Sequence, residues 1–334
     1  MIPDRPMPFR LSAKPLDHSR FSNAMGRIKE VHFCRRLYAR GEGVLIVAPS
    51  GGGKSTVAKA YCSRFPREHK VDGTKIPVLL VSVPECPTAG HLAEAILIAF
   101  GDPAAHRWDT PKKTERIHDL LRRCGVEVIL MDEFHHLYYA TTLPEFRRIT
   151  DWLKLFIDRA GVGIVGLGLA ESEQVVDANR QLRRRFSSRF LISPFSLADE
   201  EDFKEFRGIL KAFQAELPLP TEIPLFEANM ARRFHVGSYG ILDYVVKILE
   251  GAASVAIRAG LPSIDMAALA AGFRERVWET VPERLNPFFP DSPLRPLDRF
   301  GEIFADYAHG DILGSPLGKR LSVTTSRKGG RHGK

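Results

Sequence analysis

Three consecutive glycines run into a lysine, a serine and a threonine at Gly51, Gly52, Gly53, Lys54, Ser55 and Thr56. Residues of these types in this order can hold a polyphosphate. Glycine has no Cβ, so the chain can take positive φ and turn backbone N–H groups inward around an anion. The lysine can reach terminal phosphates, and the hydroxyl after it can ligand a magnesium ion that bridges them. The stretch "VLIVAPSGGGKSTVAK", residues 44–59, sets this loop between a β-branched run and a segment in which Val57, Ala58, Tyr61 and Phe65 recur at helical spacing. Strand, loop and helix follow in that order, and the helix adds the positive end of its dipole to the same spot. The pattern G-x-x-x-x-G-K-[ST] is met except at its first position, which is Ala48. The expected nucleotide-binding set is therefore Ser50, Gly51, Gly52, Gly53, Lys54, Ser55 and Thr56, with Ser55 also on the metal.

Phosphate chemistry of this type needs an acidic pair at the end of a neighbouring strand. Residues 126–137, "VEVILMDEFHHL", supply one after a buried-type apolar run. Asp132 is expected to hold magnesium through its water shell, and Glu133 to orient and activate the attacking water. His135 and His136 follow directly. Neighbours in sequence diverge on a regular helix, so both are read as surface or packing histidines.

The elements that must position these groups alternate. Beyond the first strand and helix come "IPVLLVSV", "AGHLAEAILIAFG", "KKTERIHDLLRRCG", the acidic strand, "LPEFRRITDWLKLFIDRAG" and "VGIVGLG". Strand and helix in alternation predict an α/β doubly wound parallel sheet, with both motifs at carboxyl ends of strands. A helix over residues 23–39 precedes the first strand. From residue 199 the pattern is all-helical. The expected division is a basic extension over 1–22, an α/β nucleotide-binding domain over 23–198 and a small helical lid over 199–281. A Pro-rich, basic segment over 282–334 is expected to dock on a partner or stay disordered, with Phe288, Phe289 and Phe300 exposed.

The 334 residues carry a formal charge of +8, unevenly placed. Residues 1–42 hold nine Lys/Arg against four acids, and residues 312–334 hold six against none. Basic ends on a nucleotide-binding chain fit a partner with a phosphate backbone. No apolar stretch is long enough to span a bilayer, and the opening residues lack a signal-peptide pattern, so a cytoplasmic location without membrane contact is expected. Cys34, Cys62, Cys86 and Cys124 show no C-x-x-C spacing and indicate neither a disulfide framework nor a zinc site.

In order, "APSGGGKST", "GVEVILMDEFHHL", "GVGIVGLGLAESEQVV", "LRRRFSSRF" and "HVGSYGILDYVVKILEGAASVAIRAGLPSID" resemble the TniB/TnsC family of AAA+ transposition regulators, including those of CRISPR-associated transposons. The resemblance spans roughly residues 23–275. It implies an AAA+ P-loop ATPase using ATP and Mg2+ that assembles as rings or filaments on double-stranded DNA. Such a homo-oligomer links a TniQ-type target-selection protein to a transposase. By the same resemblance, Arg185, or failing it Arg189, is presented to the γ-phosphate of a neighbouring subunit. DNA contacts fall to Lys112 and Lys113, then to Arg147 and Arg148. Two further readings stand beside this one: a nucleotide-switched DNA scaffold with little turnover, and another AAA+ loader. Three positions depart from the family pattern. Ala48 replaces a glycine, Leu169 stands where a polar sensor is expected, and Ile241 stands where relatives tend to carry an arginine. Losing both sensors would leave hydrolysis slow or partner-dependent.

Overall fold

The computed structural model describes residues 9–11, 15–38, 43–71 and 73–309. Helix α1 (Ser19–Tyr38) leads into strand β1 (Gly43–Val47), then α2 (Lys54–Ser63), a short antiparallel hairpin of β2 (Glu68–Lys70) and β3 (Gly73–Lys75), and β4 (Val78–Ser82). Next come α3 (Ala89–Phe100), α4 (Thr110–Arg123), β5 (Val128–Asp132) and a 3-10 turn over Phe134–Tyr139. Helix α5 (Leu143–Ala160), β6 (Gly163–Gly168), α6 (Glu171–Asp177), α7 (Arg180–Arg185) and β7 (Ser188–Leu191) complete the α/β part.

Five strands form one parallel sheet in the order β4-β5-β6-β1-β7. The chain leaves β1 for the far edge at β4, walks back through β5 and β6, and ends beyond β1 at β7. Strand order therefore reverses between β1 and β6, and ligands of such sheets bind in the crevice outside the carboxyl ends at that reversal. Every residue of β1 and β5 is buried, as strands covered on both faces require. Val44 and Ile46 join Ile28 of α1 and Val57 of α2 in one core. Leu45 and Val47 face the opposite core, with Ile96 of α3, Ile117 of α4 and Phe156 of α5. Side chains alternate between faces along a strand, so one apolar run serves two cores.

The chain divides into this α/β unit and a second unit of residues 9–18, Gly51–Gly53 and 193–309. The second is helical: α8 (Glu200–Ala215), α9 (Ala228–Ser238), α10 (Leu242–Ala259), α11 (Met266–Arg276) and α12 (Ala305–His309). Acidic caps start α8, α9 and α11. The Asp199 carboxylate accepts from the Asp202 N–H at 2.9 Å, and Asp265 from the Ala268 N–H at 2.7 Å.

Two terminal stretches differ from expectation. The N-terminal segment packs at Leu11, whose N–H donates to Glu250 Oε1 at 3.1 Å while Arg10 bonds the other carboxylate oxygen at 2.6 Å. Beyond residue 281, Phe288 is buried rather than exposed. Asn286, wholly enclosed, holds this segment by donating to the Ala270 carbonyl at 2.9 Å and accepting from the Phe288 N–H at 3.1 Å. A proline-rich segment has no periodicity to advertise a core face, so its anchors were not visible in sequence. Phe289 is half-buried, and Phe300 is exposed as expected. The basic residues at 312–334 lie outside the described residues.

Candidate nucleotide site

The loop begins where β1 runs out. The Ala48 N–H still donates to the Gly168 carbonyl at 3.1 Å, continuing the ladder with β6. Gly51 and Gly53 then take φ of 74° and 86°. Those conformations are strained for any residue with a Cβ, which is why glycines stand there. Helix α2 starts at Lys54. Its ammonium is buried and donates to the carbonyls of Ala48 and Pro49, each at 2.9 Å. Burial pushes the Lys54 pKa below the usual lysine range, and the carboxylates of Glu133, Asp132 and Glu171 oppose that shift. Ser55 is half-buried in the first turn, while Ser50 and Thr56 are exposed.

Asp132 ends β5 and is buried. Its carboxylate accepts the Glu133 N–H at 3.0 Å, and its carbonyl accepts the Val83 N–H at 2.9 Å. Glu133 takes the left-handed conformation, φ 56° and ψ 35°. The chain thus breaks at the second acid, then winds as the 3-10 turn. His135, buried on that turn, lies with Nδ1 3.4 Å from Glu133 Oε2. Burial first, then His136 and Lys54, push its pKa down to about 4. His136 donates from Nδ1 to the Val83 carbonyl at 2.9 Å.

The residues present fit a magnesium–nucleotide complex. Loop glycines at positive φ allow converging N–H groups, Lys54 supplies a cation, and Ser55 and Asp132 offer hard oxygen donors. Glu171, two residues past Leu169, was not singled out from sequence. It is one of the three carboxylates acting on Lys54, and its Oε2 is enclosed without a hydrogen-bond partner. The only sequence signal for it was its place, just past the carboxyl end of β6. Leu169 itself is half-buried, and Ile241, at the N-cap of α10, is 2% exposed.

The arginines are held within the chain. Arg185 pairs with Asp158 at 2.6 Å, and Arg189 with Asp177 at 2.5 Å. Asp177 also takes Arg183, at 3.0 Å. Among the four residues read as DNA contacts, Lys112, Arg147 and Arg148 are exposed, with Arg148 3.6 Å from Glu145. Lys113 is buried and donates to the Glu94 carboxylate, which also bonds His106. In this conformation its ammonium is held by Glu94 and does not face solvent.

The model of one family, described as Bacterial TniB protein, matches residues 13–194, more than half of the chain. No curated protein matches. Among solved structures, ORC2 of Aeropyrum pernix, in ADPNP-ADP complexes, is 14% identical with a TM-score of 0.60, covering 83% of this chain and 72% of that one. ORC1 of the same organism, solved in complex with DNA, is 17% identical with a TM-score of 0.58, covering 96% and 81%. Cdc6p of Pyrobaculum aerophilum is 13% identical at 0.58, covering 81% and 72%. At such identities the likeness is one of fold: an α/β P-loop NTPase.

Proposed function

The chain belongs to the TniB family, and from that premise we propose that it is an ATP-dependent regulator of transposition. In this reading it oligomerises on duplex DNA and connects a TniQ-type target-selection protein to a transposase. The observation that carries the reading is the convergence of charge between the loop after β1, which ends at Lys54, and the acids Asp132 and Glu133 at the end of β5, whose carboxylates act on the Lys54 ammonium.

The chemistry follows from that placement. The phosphates of ATP lie over Gly51, Gly52 and Gly53, and Lys54 exchanges the Ala48 and Pro49 carbonyls for phosphate oxygens. Ser55 and Asp132 hold Mg2+, which neutralises phosphate charge when bound. Glu133 orients the attacking water and accepts its proton. Arg185 leaves Asp158, or Arg189 leaves Asp177, to stabilise charge on a neighbouring subunit's γ-phosphate. Subunit assembly thereby trades an internal ion pair for a phosphate contact. Duplex binding is supported by the basic ends, by exposed Lys112, Arg147 and Arg148, and by the DNA complex of the ORC1 neighbour. No helix among the described residues is long and apolar enough to cross a membrane, in keeping with a proposed cytoplasmic site of action.

Electron microscopy of the full chain on duplex DNA, with ATP, ADP or a non-hydrolysable analogue, tests this directly. Rings or filaments are expected with ATP and with the analogue, and Lys54→Ala is expected to lose them. Assemblies that form equally without nucleotide would remove the switch. A second reading, a DNA scaffold with little turnover, is favoured by apolar Leu169 and buried Ile241 at the two sensor positions. Hydrolysis that neither DNA nor transposase accelerates would select it.

A further inference from the structure

Glu133, His135 and His136 each bring one ligand atom within 4.8 Å of the others. We propose that these three side chains form a transition-metal site of the two-imidazole, one-carboxylate kind, with Zn2+ as the ion it suits best. Its regulatory consequence rests on the reading of Glu133 as the group that activates water; the site itself does not.

Adjacent histidines on a regular helix point about 100° apart. Here the chain is not regular. Glu133 sits in the left-handed region, the following residues wind as a 3-10 turn, and the two imidazole centroids approach to 4.6 Å. His136 is already set for a metal. A carbonyl oxygen only accepts, so Nδ1, 2.9 Å from the Val83 oxygen, carries the hydrogen and Nε2 keeps its lone pair. A backbone carbonyl on the second ring nitrogen is the usual orienting partner of metal-bound histidine.

His135 supplies the independent observation. It is 6% exposed, and its Nδ1 is enclosed with no hydrogen-bond partner. A buried polar atom left in that state needs an explanation. It stands 3.4 Å from Glu133 Oε2. Two ligands on a tetrahedral zinc with bonds of about 2.1 Å are separated by about that distance. Two nitrogens in the donor set disfavour Mg2+, which takes oxygen ligands, and keep this site chemically distinct from the Ser55 and Asp132 position. An ion here occupies the carboxylate that would accept the water's proton, so it slows hydrolysis without touching the phosphate-binding loop.

Titration of the nucleotide-free full chain with Co2+, followed by visible absorption, tests the site apart from catalysis. The expected result is one Co2+ per chain, with the intense d–d bands of four- or five-coordinate cobalt, displaced by one equivalent of Zn2+. His136→Ala and the near-isosteric Glu133→Gln should each weaken binding roughly tenfold or more, while Lys54→Ala keeps it. Equal Co2+ affinity in the natural chain, His136→Ala and Glu133→Gln overturns the site whatever the ATPase result. Cobalt bound as expected, with ATP hydrolysis indifferent to Zn2+, upholds the site and overturns the role given to Glu133.

Discussion

Glu133 bears a side chain in a backbone conformation that costs a residue with a Cβ roughly 1–2 kcal/mol. Strain of this kind persists where the surroundings impose it, and it gathers at functional sites. Here the buried Asp132 carboxylate accepts the Glu133 N–H where the chain leaves the strand. The Glu133→Gln variant keeps the shape and removes the base. ATP hydrolysis should fall by roughly 100-fold to 10,000-fold with nucleotide affinity unchanged, and assemblies on DNA should persist. Loss of turnover matched by loss of ATP binding would mean that Glu133 supports the loop instead of the water. Lys54, Ser55, Asp132 and Glu133 could be singled out in sequence because the roles proposed for them depend on spacing within one loop or one strand end. Glu171 was not, because only the β1–β6 pairing brings its segment beside the loop. Nor was the capture of Lys113, since its partner Glu94 lies on a different helix.

At the scale of elements, the buried strands were the most readable part. Their apolar runs are long enough to serve both faces of the sheet, and the helices between them carry a clear period. Strand β7 escaped notice because it is an edge strand, with Arg189 and Leu191 exposed and only alternate residues partly covered. The hairpin β2–β3 is polar and largely exposed, so no hydrophobic pattern marks it. Two joints between elements make quantitative predictions. At the end of β6, a Cβ on Gly168 would stand 2.1 Å from Ser172 Oγ and 2.9 Å from the His135 backbone nitrogen. Gly168→Ala should therefore destabilise the protein by about 1–3 kcal/mol, read from the denaturant midpoint, and should lower ATP hydrolysis by displacing the turn that carries Glu133. In the helical unit, Asn286→Ala leaves the buried Phe288 N–H without its acceptor and takes the extra side-chain bond from the Ala270 carbonyl. A loss of about 1–3 kcal/mol is expected. An unchanged midpoint would return the segment after residue 281 to the status of a loosely attached tail.

Among the described residues, burial shifts three histidines downward in pKa, two in the α/β unit and one in the helical unit. In the α/β unit, burial depresses the His135 pKa to about 4, and burial followed by Arg159 and Arg122 depresses that of His118. In the helical unit, burial depresses His235, against the opposing hydrogen bond of its Nε2 to the Phe195 carbonyl at 2.7 Å. In the unfolded chain each returns to the ordinary histidine value of about 6.5. Between the folded and unfolded pKa values the unfolded chain binds protons that the folded chain refuses, so stability must rise with pH through that window and level off above it. For His135 alone the full difference corresponds to about 3 kcal/mol. The carboxylates shifted downward by their partners, such as Asp177 beside Arg189 and Glu302 beside Arg295, add to acid loss as pH falls below about 5. The interval from pH 6.5 to 5 therefore isolates the histidines. Denaturant midpoints measured at half-unit steps from pH 7.5 to 5 should be level at first and then decline. His135→Gln, which cannot titrate, should decline less steeply than the natural chain. A level profile down to pH 5 would mean that these imidazoles gain protons in place, and the turn behind Glu133 would then carry positive charge where the proposed chemistry requires a neutral ring.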